Sequence, residues 1–173
     1  IGVPGTAALC CVRDLLDAGV DVAALVTTQA RGRGDVGSLA KQFQGSLELV
    51  TGNSDCIDFG LAGSDYMRLV DECSAILCME SFIGKKEVNS YRAQARELVE
   101  FSRAKKGRIN IIYLSNLGIS GNFKGIFSEH DLDVSQGLQG QYAVGVFSAE
   151  RILRRFFQEL SITVVRTGTV VGD

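Results

Sequence analysis

One histidine, His130, serves the whole of this 173-residue chain. A site built on several imidazoles is thereby excluded, and a Ser-His-Asp arrangement would depend on that residue alone. His130 stands in the polar stretch Ser128-Glu129-His130-Asp131, which predicts a solvated loop position. The five cysteines, Cys10, Cys11, Cys56, Cys73 and Cys78, form no C-x-x-C pair. Their mostly apolar company predicts reduced, largely buried thiols of a cytosolic protein, not a disulfide frame or a metal site. No uninterrupted run approaches the roughly 18 apolar residues of a membrane helix. No signal-peptide pattern is visible, since Arg13 and Asp14 interrupt the first apolar stretch. A basic excess is missing too: the formal net charge is -2, which argues against a nucleic-acid partner.

What is present is an ordinary globular balance, 46% hydrophobic and 22% charged residues, suited to one domain over residues 1–173. Apolar runs alternate with amphipathic segments. Strands are expected at Val22–Val26, Leu47–Val50, Ala75–Cys78, Ile109–Leu114 and Ile162–Arg166. Helices are expected at Leu9–Ala18, ended by Gly19, and at Tyr66–Cys73, Glu87–Ala104 and Gln141–Leu160. This alternation predicts a doubly wound, Rossmann-like α/β domain whose parallel strands lie buried in one sheet with helices on both faces. Asn116 to Gly140 fits neither period and reads as a long functional loop. A domain of this kind normally enters its first glycine turn from a buried strand, yet only Ile1 precedes Gly2. Either the first strand lies outside these residues or the fold begins irregularly; the chain reads as a partial or excised domain, whose first strand and C-terminal substrate lobe would then belong to a larger protein.

Two motifs bear on ligand binding. In Gly2-Val3-Pro4-Gly5-Thr6-Ala7-Ala8 the glycines permit a tight turn before a helix, whose positive end suits a pyrophosphate. Gly2, Gly5, Thr6 and Ala8 are thus candidate cofactor contacts, although Pro4 offers no amide donor. After the Val22–Val26 strand, where a carboxylate would bind the ribose of NAD, the chain reads Thr27-Thr28-Gln29-Ala30-Arg31-Gly32-Arg33. Arg31 or Arg33 there would meet a 2′-phosphate, favouring NADPH; a plain solvated basic loop explains the same residues.

Four longer stretches resemble, in the right order, the extended short-chain dehydrogenase/reductases. VTGNSDCIDFGLAGSDYMRLVDECSAIL (Val50 to Leu77), with Phe59-Gly60-Leu61 and Tyr66, resembles the thioester-reductase branch found in polyketide and peptide synthetases, carboxylate reductases and aminoadipate reductases. IIYLSNLGISG resembles the strand carrying the catalytic Ser/Thr, QYAVGVFSAERIL the Tyr-x-x-x-Lys helix, and VVRTGTVVGD the last strand with its Arg-x-Gly turn.

The resemblance implies a nucleotide-binding oxidoreductase domain, a carrier-bound acyl or peptidyl thioester as substrate, and neighbouring domains as partners. It also implies roles: Tyr142 as proton donor, Asn116 at the Ser/Thr position with Ser115 before it, and Asn53 where an aspartate meets the adenine. The lysine position is Val146, which has neither charge nor donor. Two readings stay open: a degenerate domain that binds NADPH or is purely structural, and a working NADPH-dependent reductase using Tyr142 with Asn116 or Ser115. A nucleotide-sugar epimerase or dehydratase relative is a third, disfavoured by the Gly60-Leu61…Tyr66 phrasing.

Overall fold

The computed structural model describes residues 1–31, 44–79 and 86–168. The first helix, α1 (Thr6–Asp17), buries Ala8, Val12 and Leu16, one stripe at four-residue spacing. Burying a leucine as fully as Leu16 contributes about 1.5–3 kcal/mol. Gly19 ends the helix at φ 75°, a conformation open to glycine, while the N–H groups of Gly19 and Val20 donate to the carbonyls of Leu16 and Leu15. The chain then enters β1 (Val22–Val26), followed by a short turn of helix, α2 (Thr28–Arg31), where a basic loop was expected. Thr27 caps it: its hydroxyl accepts from the N–H of Ala30.

β2 (Leu47–Thr51) leads through a 3-10 turn, Ile57–Gly60, into α3 (Gly63–Glu72), then β3 (Ala75–Cys78) and α4 (Val88–Ala104). β4 (Asn110–Asn116) runs into a second 3-10 turn at Leu117–Ser120 and the long irregular stretch the sequence predicts. α5 (Gly140–Arg154) stops six residues before the expected Leu160, giving way to turns before β5 (Ser161–Thr167).

Every strand pair is parallel, as expected, but the strands form two sheets where one was expected. β1 pairs with β2, Val22 opposite Leu47 through Val26 opposite Thr51. β3, β4 and β5 form the second sheet in that order. The reason is local: no described strand lies between β1 and β3, and among the described residues it is Ile1 whose backbone pairs with that edge of β3. Its N–H donates to the carbonyl of Leu77 at 2.8 Å, and the N–H of Met79 donates to its carbonyl at 2.9 Å.

Two apolar clusters follow this division in the main, with Val50 of β2 and Leu25 of β1 joining the larger. The smaller joins α1 to β1 through Val12, Leu16, Ala24 and Val26. The larger packs α4 and α5 onto β3 and β4 and takes in the aromatic trio Phe59, Tyr66 and Phe101. α4 and α5 approach closely because position 145 is glycine: a Cβ there would lie 2.3 Å from Cδ2 of Tyr91. The cysteines correct an expectation. All five are free thiols, as predicted, but only Cys78 is buried, and Cys10 and Cys56 are exposed. On α1 the buried stripe passes through positions 8, 12 and 16, which leaves no room for Cys10 on it. His130 is 89% exposed, the solvated loop residue the sequence predicts.

Candidate functional site

Parallel strands aim their carboxyl ends to one side, and ligands of open α/β sheets bind there. This side gathers the candidate residues: the Gly2 turn after Ile1, Thr27 after β1, Gly52 and Asn53 after β2, Asn116 at the end of β4.

At the Gly2 turn, Gly2 is buried at φ 117°, and the N–H of Gly5 donates to its carbonyl at 2.8 Å. The first helical bond of α1 runs from the N–H of Leu9 to Gly5, and no side chain caps the helix. The amides of Thr6, Ala7 and Ala8 therefore point outward without a side-chain acceptor, the arrangement that suits a pyrophosphate. Ala8 is buried against the small cluster and contributes its backbone only. These residues fit a dinucleotide phosphate.

Beyond β2, Gly52 is required by packing, since a Cβ would sit 2.4 Å from the carbonyl oxygen of Phe59. Asn53 is exposed and held by its backbone, donating to the Phe59 carbonyl at 2.7 Å and accepting from the N–H of Cys56 at 3.1 Å. Asp58 and Phe59, at φ 52° and 54°, are left-handed without being glycine, a strained pair that turns the chain back towards Asn53. The backbone of Arg31 closes α2; its side chain and the whole of Arg33 lie outside the described residues.

On α5, Tyr142 is half-buried with its ring edge-on to Tyr91, centroids 6.3 Å apart. Burial holds its phenol above the ordinary tyrosine range. One turn on, Val146 is fully buried in the large cluster. Asn116 is extended at the end of β4, and its Oδ1 accepts from the N–H of Gly118 at 2.7 Å, so the amide NH2 is the end left as a donor.

Ser115 faces the other side of β4. It is fully buried and donates its hydroxyl to Glu150 at 2.7 Å.

Glu150 is what the sequence reading missed. Also fully buried, it accepts from Ser115, from Nε of Arg154 at 2.9 Å and from Nη2 of Arg166 at 2.7 Å. Arg166 goes on to the carbonyls of Ser128 and Asp131, and Arg154 to those of Glu129 and His130. Two guanidiniums thus tie the long loop to α5 and β5. The available signal was an arginine ending the apolar run Ile162–Val165, and a glutamate and an arginine four apart on a helix.

No family model and no curated protein matches the sequence. Solved structures do. The reductase domain of a nonribosomal peptide synthetase from Mycobacterium tuberculosis superposes with a TM-score of 0.70 at 19% identity, over 92% of this chain and 45% of that one. The terminal R domain of the myxalamid PKS-NRPS pathway gives 0.70 at 20% identity, over 96% of this chain and 46% of that one.

The fold is the Rossmann-like one of these reductase domains. A third example of this reductase fold, the yeast methylglyoxal/isovaleraldehyde reductase complexed with NADPH, gives 0.63 at 11% identity, over 96% of this chain and 52% of that one. The chain spans about half the length of the solved reductases it matches. Among the described residues, no helix is long and apolar enough to cross a membrane, and no His/Cys/Asp/Glu group could hold a metal ion.

Proposed function

We propose that this chain is the nucleotide-binding part of a thioester-reductase-like protein, that it takes NADPH, and that it does not turn over a substrate. The observation carrying the last clause is the pair Tyr142 and Val146. In the extended reductases a lysine one turn after the tyrosine lowers its pKa and holds the ribose. Here that position is a fully buried valine. Burial raises the Tyr142 phenol instead, making it a poorer proton donor at neutral pH.

When bound, NADPH supplies a hydride to a carbonyl carbon. The chain's own residues would divide the remaining work. The amides of Thr6, Ala7 and Ala8 receive the pyrophosphate, Gly2 and Gly5 let the backbone approach it, and Asn53 faces the adenine end with a carboxamide. Arg31 would meet a 2′-phosphate. Other domains, or a carrier protein bearing an acyl or peptidyl thioester, are the partners this reading implies, in a cytosolic setting.

A working reductase is the second reading, and Asn116 favours it. With Oδ1 held by Gly118, its NH2 group is a donor of the kind that polarises a carbonyl oxygen. Ser115 supports it less, because its hydroxyl is committed to Glu150.

Calorimetric titration with NADPH and NADH, followed by NADPH consumption with a carrier-bound acyl thioester, separates these readings. Tighter binding of NADPH without turnover is expected. Turnover near 1 per second, an ordinary enzyme rate, would give the active reading its case. Equal or stronger binding of NADH would remove the NADPH preference, and binding of neither would leave a structural domain.

A further inference from the structure

The seam between α4 and α5 meets solvent on its outer side, and arginines flank it there. On α4, Tyr91, Ala95 and Leu98 are fully buried, which turns Arg92 and Arg96, one turn apart, outward. On α5, Val146, Glu150 and Leu153 are fully buried, which turns Val144, Ser148, Arg151 and Arg155 to the far side of the helix. Arg92, Arg96, Arg151 and Arg155 are all exposed. The two rows lie side by side, since Nη2 of Arg92 donates to the Ser148 hydroxyl at 3.4 Å. Tyr91, next to Arg92, meets Tyr142 and Gly145, so the rows begin beside the candidate site.

Little carboxylate answers this charge. At the other end of α4, Arg103 is held by Glu159 at 2.7 Å and reaches Glu100 at 3.5 Å. Arg151 meets Asp133 at 3.5 Å. Among the described residues, no carboxylate lies within ion-pair distance of Arg92, Arg96 or Arg155. The chain as a whole carries a net charge of -2, so this positive excess is local.

We propose that this face docks an acidic amphipathic helix of a partner protein, laid along the seam with carboxylates on both flanks. Two rows on helices packed about 8–10 Å apart, with arginines about 6 Å apart within a row, match the two flanks of one helix. Val144, half-buried in the α5 row one turn before Ser148, adds an apolar contact. From Arg92 to Arg103 the seam runs about 16 Å, room for about three helical turns. A second copy of the chain, docked through the same face about a two-fold axis, would set arginine against arginine. A nucleic acid would meet a protein of negative net charge, and beside the arginines a valine and a serine where stacked bases need aromatic rings. The inference concerns this helical surface alone and stands apart from the cofactor reading.

The probe is a synthetic helical peptide of about 15 residues, a leucine stripe flanked by glutamates. Binding is read by fluorescence anisotropy and by the amide shifts of the full chain. A lysine version of the peptide and an oligothymidine of similar length are the comparisons. The glutamate peptide should bind, shift Arg92, Arg96, Ser148 and Arg155, and weaken about tenfold between about 50 mM and about 500 mM salt. Reversing charge with Arg92→Glu and Arg96→Glu together should cost at least about tenfold in affinity and transfer binding to the lysine peptide. The thermal midpoint should stay unchanged, because both side chains are exposed. Arg155→Glu, on the other helix, should weaken the glutamate peptide independently. Failure of the glutamate peptide to bind, shifts confined to other surfaces, or unchanged affinity in the charge-reversed variants would overturn the proposal. So would tighter binding of oligothymidine, or self-association of the chain through these same residues.

Discussion

Ser115 gives its hydroxyl hydrogen to Glu150 across 2.7 Å, and neither side chain reaches solvent. A carboxylate so placed is tolerable because Arg166, only 9% exposed at its side chain, and Arg154 lie against the same oxygens. Replacing Glu150 with alanine strands the Arg166 guanidinium and leaves Ser115 without its acceptor. The expected loss is about 3–5 kcal/mol in urea unfolding. Glu150→Gln, which keeps acceptor geometry without charge, should lose less.

Gly145→Ala tests the contact between α4 and α5. The added methyl falls 2.3 Å from the Tyr91 ring, and that ring is fully buried, so it cannot swing aside. A loss of about 1–3 kcal/mol is expected from overpacking. Pairing the substitution with Tyr91→Leu should recover part of it, and a double-mutant cycle reads the coupling.

Val146→Lys tests the catalytic reading and the packing together. The ammonium would enter a position with no exposure, so the variant should be less stable by about 2 kcal/mol or more. No NADPH oxidation should appear, because proton donor, lysine and carbonyl-orienting group act as a unit and repairing one recovers little. Turnover in this variant would show that Tyr142 and Asn116 are otherwise competent.

Alkaline pH should unfold the chain ahead of what exposed tyrosines would cause. The Tyr66 phenol is pushed up to about 12, first by burial and then by Asp58, Glu97 and Glu100, and burial raises Tyr113 and Tyr142 as well. Each proton is bound more tightly in the folded state, so this stabilisation is complete below the unfolded value of about 10 and declines as pH rises towards the folded values. The urea midpoint should therefore be flat to about pH 9.5 and fall steeply towards pH 12. Tyr66→Phe should make the fall shallower.

Much of the fold was legible because the signals are local. α1, α4 and α5 announce themselves by apolar spacing, and β4 by an unbroken apolar run. The four-residue α2 was not, since Thr28-Gln29-Ala30-Arg31 is too short to show a period. The division into two sheets escaped because pairing between β1 and β3 depends on backbone that neither strand supplies. At the site, motif order alone assigns Tyr142, Val146 and Asn116 their expected positions on α5 and at the end of β4. The partnership of Ser115 with Glu150 could not be read that way, since it joins residues 35 apart whose types do not declare each other.

The loop from Ser128 to Asp131 is gripped by four of its carbonyl oxygens, two by Arg166 and two by Arg154. Every residue type carries that oxygen in the same place. Glu129 and His130, both more than four-fifths exposed, are thus held by what they share with all amino acids and not by what distinguishes them. Variation at those two positions can be wide while the loop keeps its path, whereas a change at either arginine alters the anchorage of the whole turn from Ser128 to Asp131.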